Sequence, residues 1–181
     1  MVEVPVAFAV SDWTAYATIG STVIAVLAFV ISIWTGWIQR QHNKLSVMPL
    51  PEIQLKDMNG YICVKLINNG TGPLIIKKLE VLHGKNVVGR ALIDLMPPGG
   101  SEWSFFVYIV DDRSIAPNGE IILLELEYDP NDSVEQDFAT LTRQALCTLC
   151  IDLSYKGIYG DTFPVYKKDL TWFCRLLKTF T

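Results

Sequence analysis

Residues 13–39 hold no Asp, Glu, Lys or Arg, an uncharged run of 27 positions. That is longer than a soluble helix ordinarily sustains and long enough to cross a bilayer once. Within it, residues 15–38 read AYATIGSTVIAVLAFVISIWTGWI, and about 24 helical residues rising ~1.5 Å each cover ~36 Å, slightly more than a hydrocarbon core. Trp13 and Tyr16 stand at one end and Trp34 and Trp37 at the other, where amphipathic rings favour the headgroup level. A cleavable leader has basic residues before a shorter apolar run. Here acids come first and the run ends in Trp-Ile-Gln-Arg, so the segment is expected to persist.

Arg40 and Lys44 follow the span and no basic residue precedes it. The positive-inside bias therefore puts the N-terminus outside and the rest in the cytoplasm. The organisation expected is an extracytoplasmic N-terminus over residues 1–12, a transmembrane helix over 13–39, a linker over 40–48, a β-domain over 49–168 and an amphipathic tail over 169–181.

At 100° per residue, Ala17, Ser21, Ala25, Ala28, Ser32, Thr35 and Gly36 share an arc of about 100°. Ile19, Val23, Val26, Val30, Ile33 and Trp37 occupy the opposite side. In lipid, a small-residue face lets another backbone approach closely, so Ala17, Ser21, Ala25, Ala28, Ser32 and Gly36 are the expected helix–helix interface of a homo-oligomer. Accidental clustering of small residues, or the lining of a narrow pore in a larger ring, are the competing readings.

The 15 basic residues all follow Gln39, where 17 acids leave a net charge of −2. No basic field exists there for bulk nucleic-acid binding. Turn signals such as Asn-Asn-Gly-Thr-Gly-Pro, His-Gly-Lys-Asn and Pro-Asn-Gly separate short apolar runs of period two. Ile62, Val64 and Leu66 alternate with polar residues, Trp103, Phe105, Val107 and Ile109 share a side, and so do Ile122, Leu124 and Leu126. Further strands are expected over residues 51–57, 74–82, 87–92, 146–155 and 162–166. The fold expected is mainly β: an antiparallel Ig-like sandwich behind one transmembrane helix, with a closed barrel as the alternative.

Residues 129–144 are either a crossover loop or, from the spacing of Val134, Phe138 and Leu141, a short capping helix. The tail sets Leu170, Trp172, Phe173, Leu176, Leu177 and Phe180 against Lys168, Thr171, Arg175 and Lys178. Its apolar face docks on the sandwich or lies on the inner leaflet, with Trp172, Phe173, Arg175 and Lys178 as the lipid contacts.

No catalytic constellation emerges. Cys147 and Cys150 form a lone C-x-x-C that reads as part of one strand, where residues three apart face opposite ways, so all four cysteines are expected as free thiols. His42 and His83 stand alone. The acid pairs Asp111/Asp112 and Asp129/Asp132 read as solvated turn residues, since calcium-loop spacing is missing. No phosphate loop, dinucleotide fingerprint or HExxH is present, so neither enzyme nor cofactor is expected and the ligand-binding positions are not assigned.

Three stretches carry a resemblance: residues 40–49 (RQHNKLSVMP), 66–76 (LINNGTGPLII) and 155–163 (YKGIYGDTF). The chain resembles bacterial single-pass membrane proteins with a cytoplasmic Ig-like domain, and in layout it is similar to antiphage membrane effectors. Gly70, Gly72 and Gly160 are read as residues needed for turn conformations closed to other side chains. The resemblance implies a membrane effector or sensor whose β-domain receives a small-molecule or protein signal and whose spans associate to perturb the bilayer. A membrane-anchored scaffolding subunit is the other reading.

Overall fold

The computed structural model describes residues 7–98, 103–175 and 177. It divides into two units, Met1–Leu45 and Ser46–Thr181. The first is a single helix, α1 (Ala7–Ser46), whose stretch Trp13–Ser46 is long and apolar enough to cross a membrane and has none of its apolar window buried against the protein. The residues expected as a linker are helical up to Ser46. Nothing in QRQHNKLS breaks a helix, and the stop comes only where Pro49 restricts its predecessor to extended backbone.

The second unit is mainly β. Its strands are β1 (Pro51–Met58), β2 (Tyr61–Asn68), β3 (Leu74–His83), β4 (Asn86–Gly89), β5 (Phe105–Phe106), β6 (Ser114–Ile115), β7 (Glu120–Glu127), β8 (Leu149–Lys156) and β9 (Tyr166–Asp169). One helix, α2 (Ser133–Cys147), links β7 to β8, and short 3-10 turns occupy Ile93–Leu95 and Thr171–Arg175. The strands form two antiparallel sheets, β1-β2-β7-β5 and β4-β3-β8-β9, with β6 added along β3. Asn59-Gly60 makes the tight β1–β2 turn, where Gly60 takes φ +83°, the left-handed conformation that such hairpins require.

Apolar alternation explains which face of each sheet turns inward. Ile53, Val64, Leu66, Leu124 and Leu126 come from the first sheet, and Leu74, Ile76, Leu79, Val81, Ile151 and Leu153 from the second. Each such side chain contributes roughly 1.5–3 kcal/mol on burial. Phe138, Ala139 and Leu146 of α2, with Leu170 and Phe173, close the core.

Four strand expectations are corrected. Of residues 162–166 only Tyr166 belongs to a strand, β9, while Thr162 makes an isolated bridge to Lys156. Residues 103–109 yield only β5, with Phe105 and Ile109 about half exposed; the inward residues Trp103, Phe106, Val107 and Val110 do not follow period two. Residues 87–92 pair only as far as Gly89. The strand expected from residue 146 begins at Leu149, because α2 runs through Cys147. Residues 129–144 are therefore largely helical, and the loop reading falls.

Candidate functional site

The expected interface residues Ala17, Ser21, Ala25, Ala28, Ser32 and Gly36 are all exposed along α1. Their hydroxyls bond inward: Ser21 Oγ donates to the Thr18 carbonyl at 2.9 Å, Ser32 Oγ to Ala28 at 2.7 Å and the neighbouring Thr35 Oγ1 to Ile31 at 2.8 Å. Thr18 and Thr22 do likewise. Such back-bonding satisfies each hydroxyl without a second chain. Nothing within 4 Å would meet a Cβ added at Gly20 or Gly36.

Behind α1 the chain passes through a clamp made by the Asn68–Gly72 turn. Asn68 is fully buried, and its Oδ1 accepts from the Leu50 and Gly70 amides at 3.2 and 3.0 Å. Its Nδ2 donates to the carbonyls of Gly72, Ile115 and Ala116. The Asn69 amide donates to Leu50 O at 2.9 Å, and Thr71 Oγ1 to Ser46 O at 2.5 Å. A Cβ on Gly70 would lie 2.3 Å from Met48 O, and one on Gly72 1.8 Å from Val47 O. These two glycines are required by close backbone approach and not by a left-handed φ, which corrects the expectation. Gly160 does take φ +76°.

The C-terminal segment docks. Leu170 and Phe173 are completely buried, so Phe173 is no lipid contact, and Thr171–Arg175 form a 3-10 turn where the start of a short amphipathic helix was expected. Trp172 keeps 39% of its surface exposed, with the Arg175 guanidinium 3.1 Å from its ring centre. Lys178, Leu176 and Phe180 lie outside the described residues, as do residues 1–6. Cys147 and Cys174 are disulfide-bonded with Cα atoms 5.2 Å apart, which overturns the free-thiol expectation for this pair. Cys147 ends α2 instead of sitting mid-strand, so its side chain meets the docked segment. Cys63 and Cys150 remain free.

Sequence reasoning missed a buried polar centre beside this segment. Asp57 and Arg143 are buried together: Arg143 Nη2 and Nε donate to Asp57 Oδ1 at 2.9 and 3.1 Å. Nη2 also donates to the Tyr128 hydroxyl at 2.8 Å. Burial works against the charged guanidinium, but the Asp57 and Tyr128 hydrogen bonds outweigh it and raise the Arg143 pKa. Breaking such a pair typically costs about 3–5 kcal/mol, because one charge is left uncompensated. Arg175 Nη2 reaches the Asp57 carbonyl at 3.3 Å. The signal was present: Arg143 lies on the arc of Ala139, Thr142 and Leu146, where a lone charge demands a partner.

The acid pairs are structural rather than merely solvated. Asp111 Oδ1 accepts from the Leu79 amide at 3.1 Å while its other oxygen pairs with Arg90, Asp112 holds φ +60°, and Asp132 caps α2 by accepting from the Val134 amide. Asp129 accepts from the Asn131 amide at 2.9 Å. His83 ends β3 opposite Asn86, and His42 lies in α1. Among the described residues, no group of three His, Cys, Asp or Glu is arranged to hold a metal ion. The chain matches no protein-family model and no curated protein sequence.

Proposed function

We propose that this chain is a non-enzymatic membrane effector or sensor, anchored in a bacterial inner membrane by α1 with its β-domain in the cytoplasm. The domain receives a small-molecule or protein signal, and the spans associate through the face of Ala17, Ser21, Ala25, Ala28, Ser32 and Gly36 to perturb the bilayer. This is the layout of antiphage membrane effectors. The observation that carries the reading is α1 itself: an apolar helix with no protein surface covering it needs lipid or other helices as its solvent. Arg40 and Lys44 support the orientation. The order β1-β2-β7-β5 against β4-β3-β8-β9 matches the two sheets of an immunoglobulin-type sandwich, which supports an Ig-like receiving domain.

The test is dye uptake and membrane potential in cells expressing the full chain with and without its inducing signal, phage infection being the first to try. Depolarisation on induction is expected. Intact potential at full expression, or purification as a stoichiometric complex with an unrelated protein, would favour the scaffolding reading instead.

A further inference from the structure

β1 is the edge of the first sheet: it pairs with β2, and among the described residues no strand adjoins its other side. The Leu50 carbonyl accepts from Asn69 on the β2 side, so the backbone groups of Ile53, Leu55 and Asp57 point outward by alternation. Two of these are held by the C-terminal segment. The Ile53 amide donates to the Tyr166 hydroxyl at 3.3 Å, and the Asp57 carbonyl accepts from Arg175. Between them Leu55 faces a groove of about 480 Å³, lined by β1 on one wall and Lys168, Asp169 and Trp172 on the other. The segment that guards the edge is stapled to α2 by the Cys147–Cys174 bond. Both cysteines of the bond are only partly buried.

We propose that β1 is a strand-addition edge for a second copy of this chain, and that the Cys147–Cys174 disulfide is the latch that keeps it covered. The occupant follows from the strand's own sequence. In an antiparallel pair centred on Gln54, each Ile53 lies opposite the other copy's Leu55 and exchanges both backbone hydrogen bonds with it. Glu52 then faces Lys56 of the second copy, twice over, and exposed Leu50 faces exposed Met58. Centring the pair one residue away, on Ile53 or Leu55, loses both charge pairs. β1 is thus complementary to itself in one register.

Opening the latch is thiol–disulfide exchange with an external dithiol. The dithiol gives up two electrons and two protons, the Cys147–Cys174 bond breaks into two thiols, and the reductant leaves as its own disulfide. Tyr166 and Arg175 must then leave the edge before a second β1 can bind. The inference goes beyond the self-association reading and rests on it only for bringing copies together in one membrane.

The full chain reconstituted in phosphatidylcholine–phosphatidylglycerol vesicles tests it. With Gln54→Cys, copper–phenanthroline oxidation should cross-link two copies at least tenfold more when Cys147→Ser and Cys174→Ser remove the latch than when it is intact. Val87→Cys, placed instead on β4, should not respond. In the unlatched chain Glu52→Lys or Lys56→Glu should each suppress the cross-link, and the two together should restore it. Should the latch substitutions unfold the domain, adding dithiol in detergent to a chain with its native cysteines but carrying Ser21→Leu and Ala28→Leu, which removes association through α1, should raise its mass from monomer to dimer. Copies that associate regardless of dithiol without cross-linking at position 54 overturn the proposal and leave association through α1 standing. A chain that is monomeric throughout overturns both.

Discussion

The residues under most steric constraint are Gly70 and Gly72, where the chain behind α1 lies against their Cα atoms. Gly72→Ala would drive a methyl into the Val47 carbonyl, and no flexible side chain is there to yield. The expected loss is about 3 kcal/mol or more, read from chemical denaturation of the full chain in detergent, against about 1 kcal/mol for Gly84→Ala, whose φ is +64° in open space. Equal losses would refute the clamp. Cys150 offers a pH test. Burial first, then its hydrogen bond to the Asp169 carboxylate, pushes its thiol up to about 11 from an ordinary value of 9.0. A raised folded-state pKa makes its stabilising contribution complete below about pH 9 and lost as pH rises through 11. Iodoacetamide should label Cys150 slowly at pH 8 and accelerate toward a midpoint near 11; rapid labelling at pH 8 would contradict this environment. At this scale the sequence was legible only in part: NNGTG announced a turn, but not that its glycines make room for the backbone of residues 47–50.

Among the elements, α2 shows why a periodic signal can be right about a helix and wrong about its face. Val134 and Leu141 are exposed, and the buried arc runs through Phe138, Ala139, Thr142, Arg143 and Leu146, about 100° around from the one expected. Small and polar residues pack there because Arg143 brings its own partner, a pairing invisible until β1 and α2 are side by side. Asp132→Ala removes the cap on the Val134 amide and is expected to cost about 1 kcal/mol, measured as a shift in denaturation midpoint. No shift would mean the cap is replaced by water. β1, β2, β3 and β7 were legible because apolar residues recur on the face of each that turns to the core. β5 was not, since a strand that pairs over two residues leaves almost no pattern. The Cys147–Cys174 bond was hidden by the same error that started β8 three residues too early.

For the whole molecule, the plainest sequence signal was also the largest feature: an unbroken apolar helix followed by two sheets. What its exposed face does in a membrane is tested by Ser21→Leu with Ala28→Leu. These substitutions should leave insertion intact and reduce the oligomer to monomer in mass measurements in mild detergent, since bulk replaces the close-approach surface. An unaltered oligomer would remove Ala17, Ser21, Ala25, Ala28, Ser32 and Gly36 as the interface. The candidate site was less legible than the fold, because edges, latches and buried ion pairs are properties of strand order, and strand order is not written in any single stretch of chain.

The hydroxyls of Thr18, Ser21, Ser32 and Thr35 spend their hydrogen bonds on carbonyls one turn back. The rod can therefore settle into acyl chains alone, at little polar penalty, before it meets a companion. If the spans associate as proposed, arrival in the bilayer and encounter within it are separate steps, and the second is governed by how many copies share a given area of membrane.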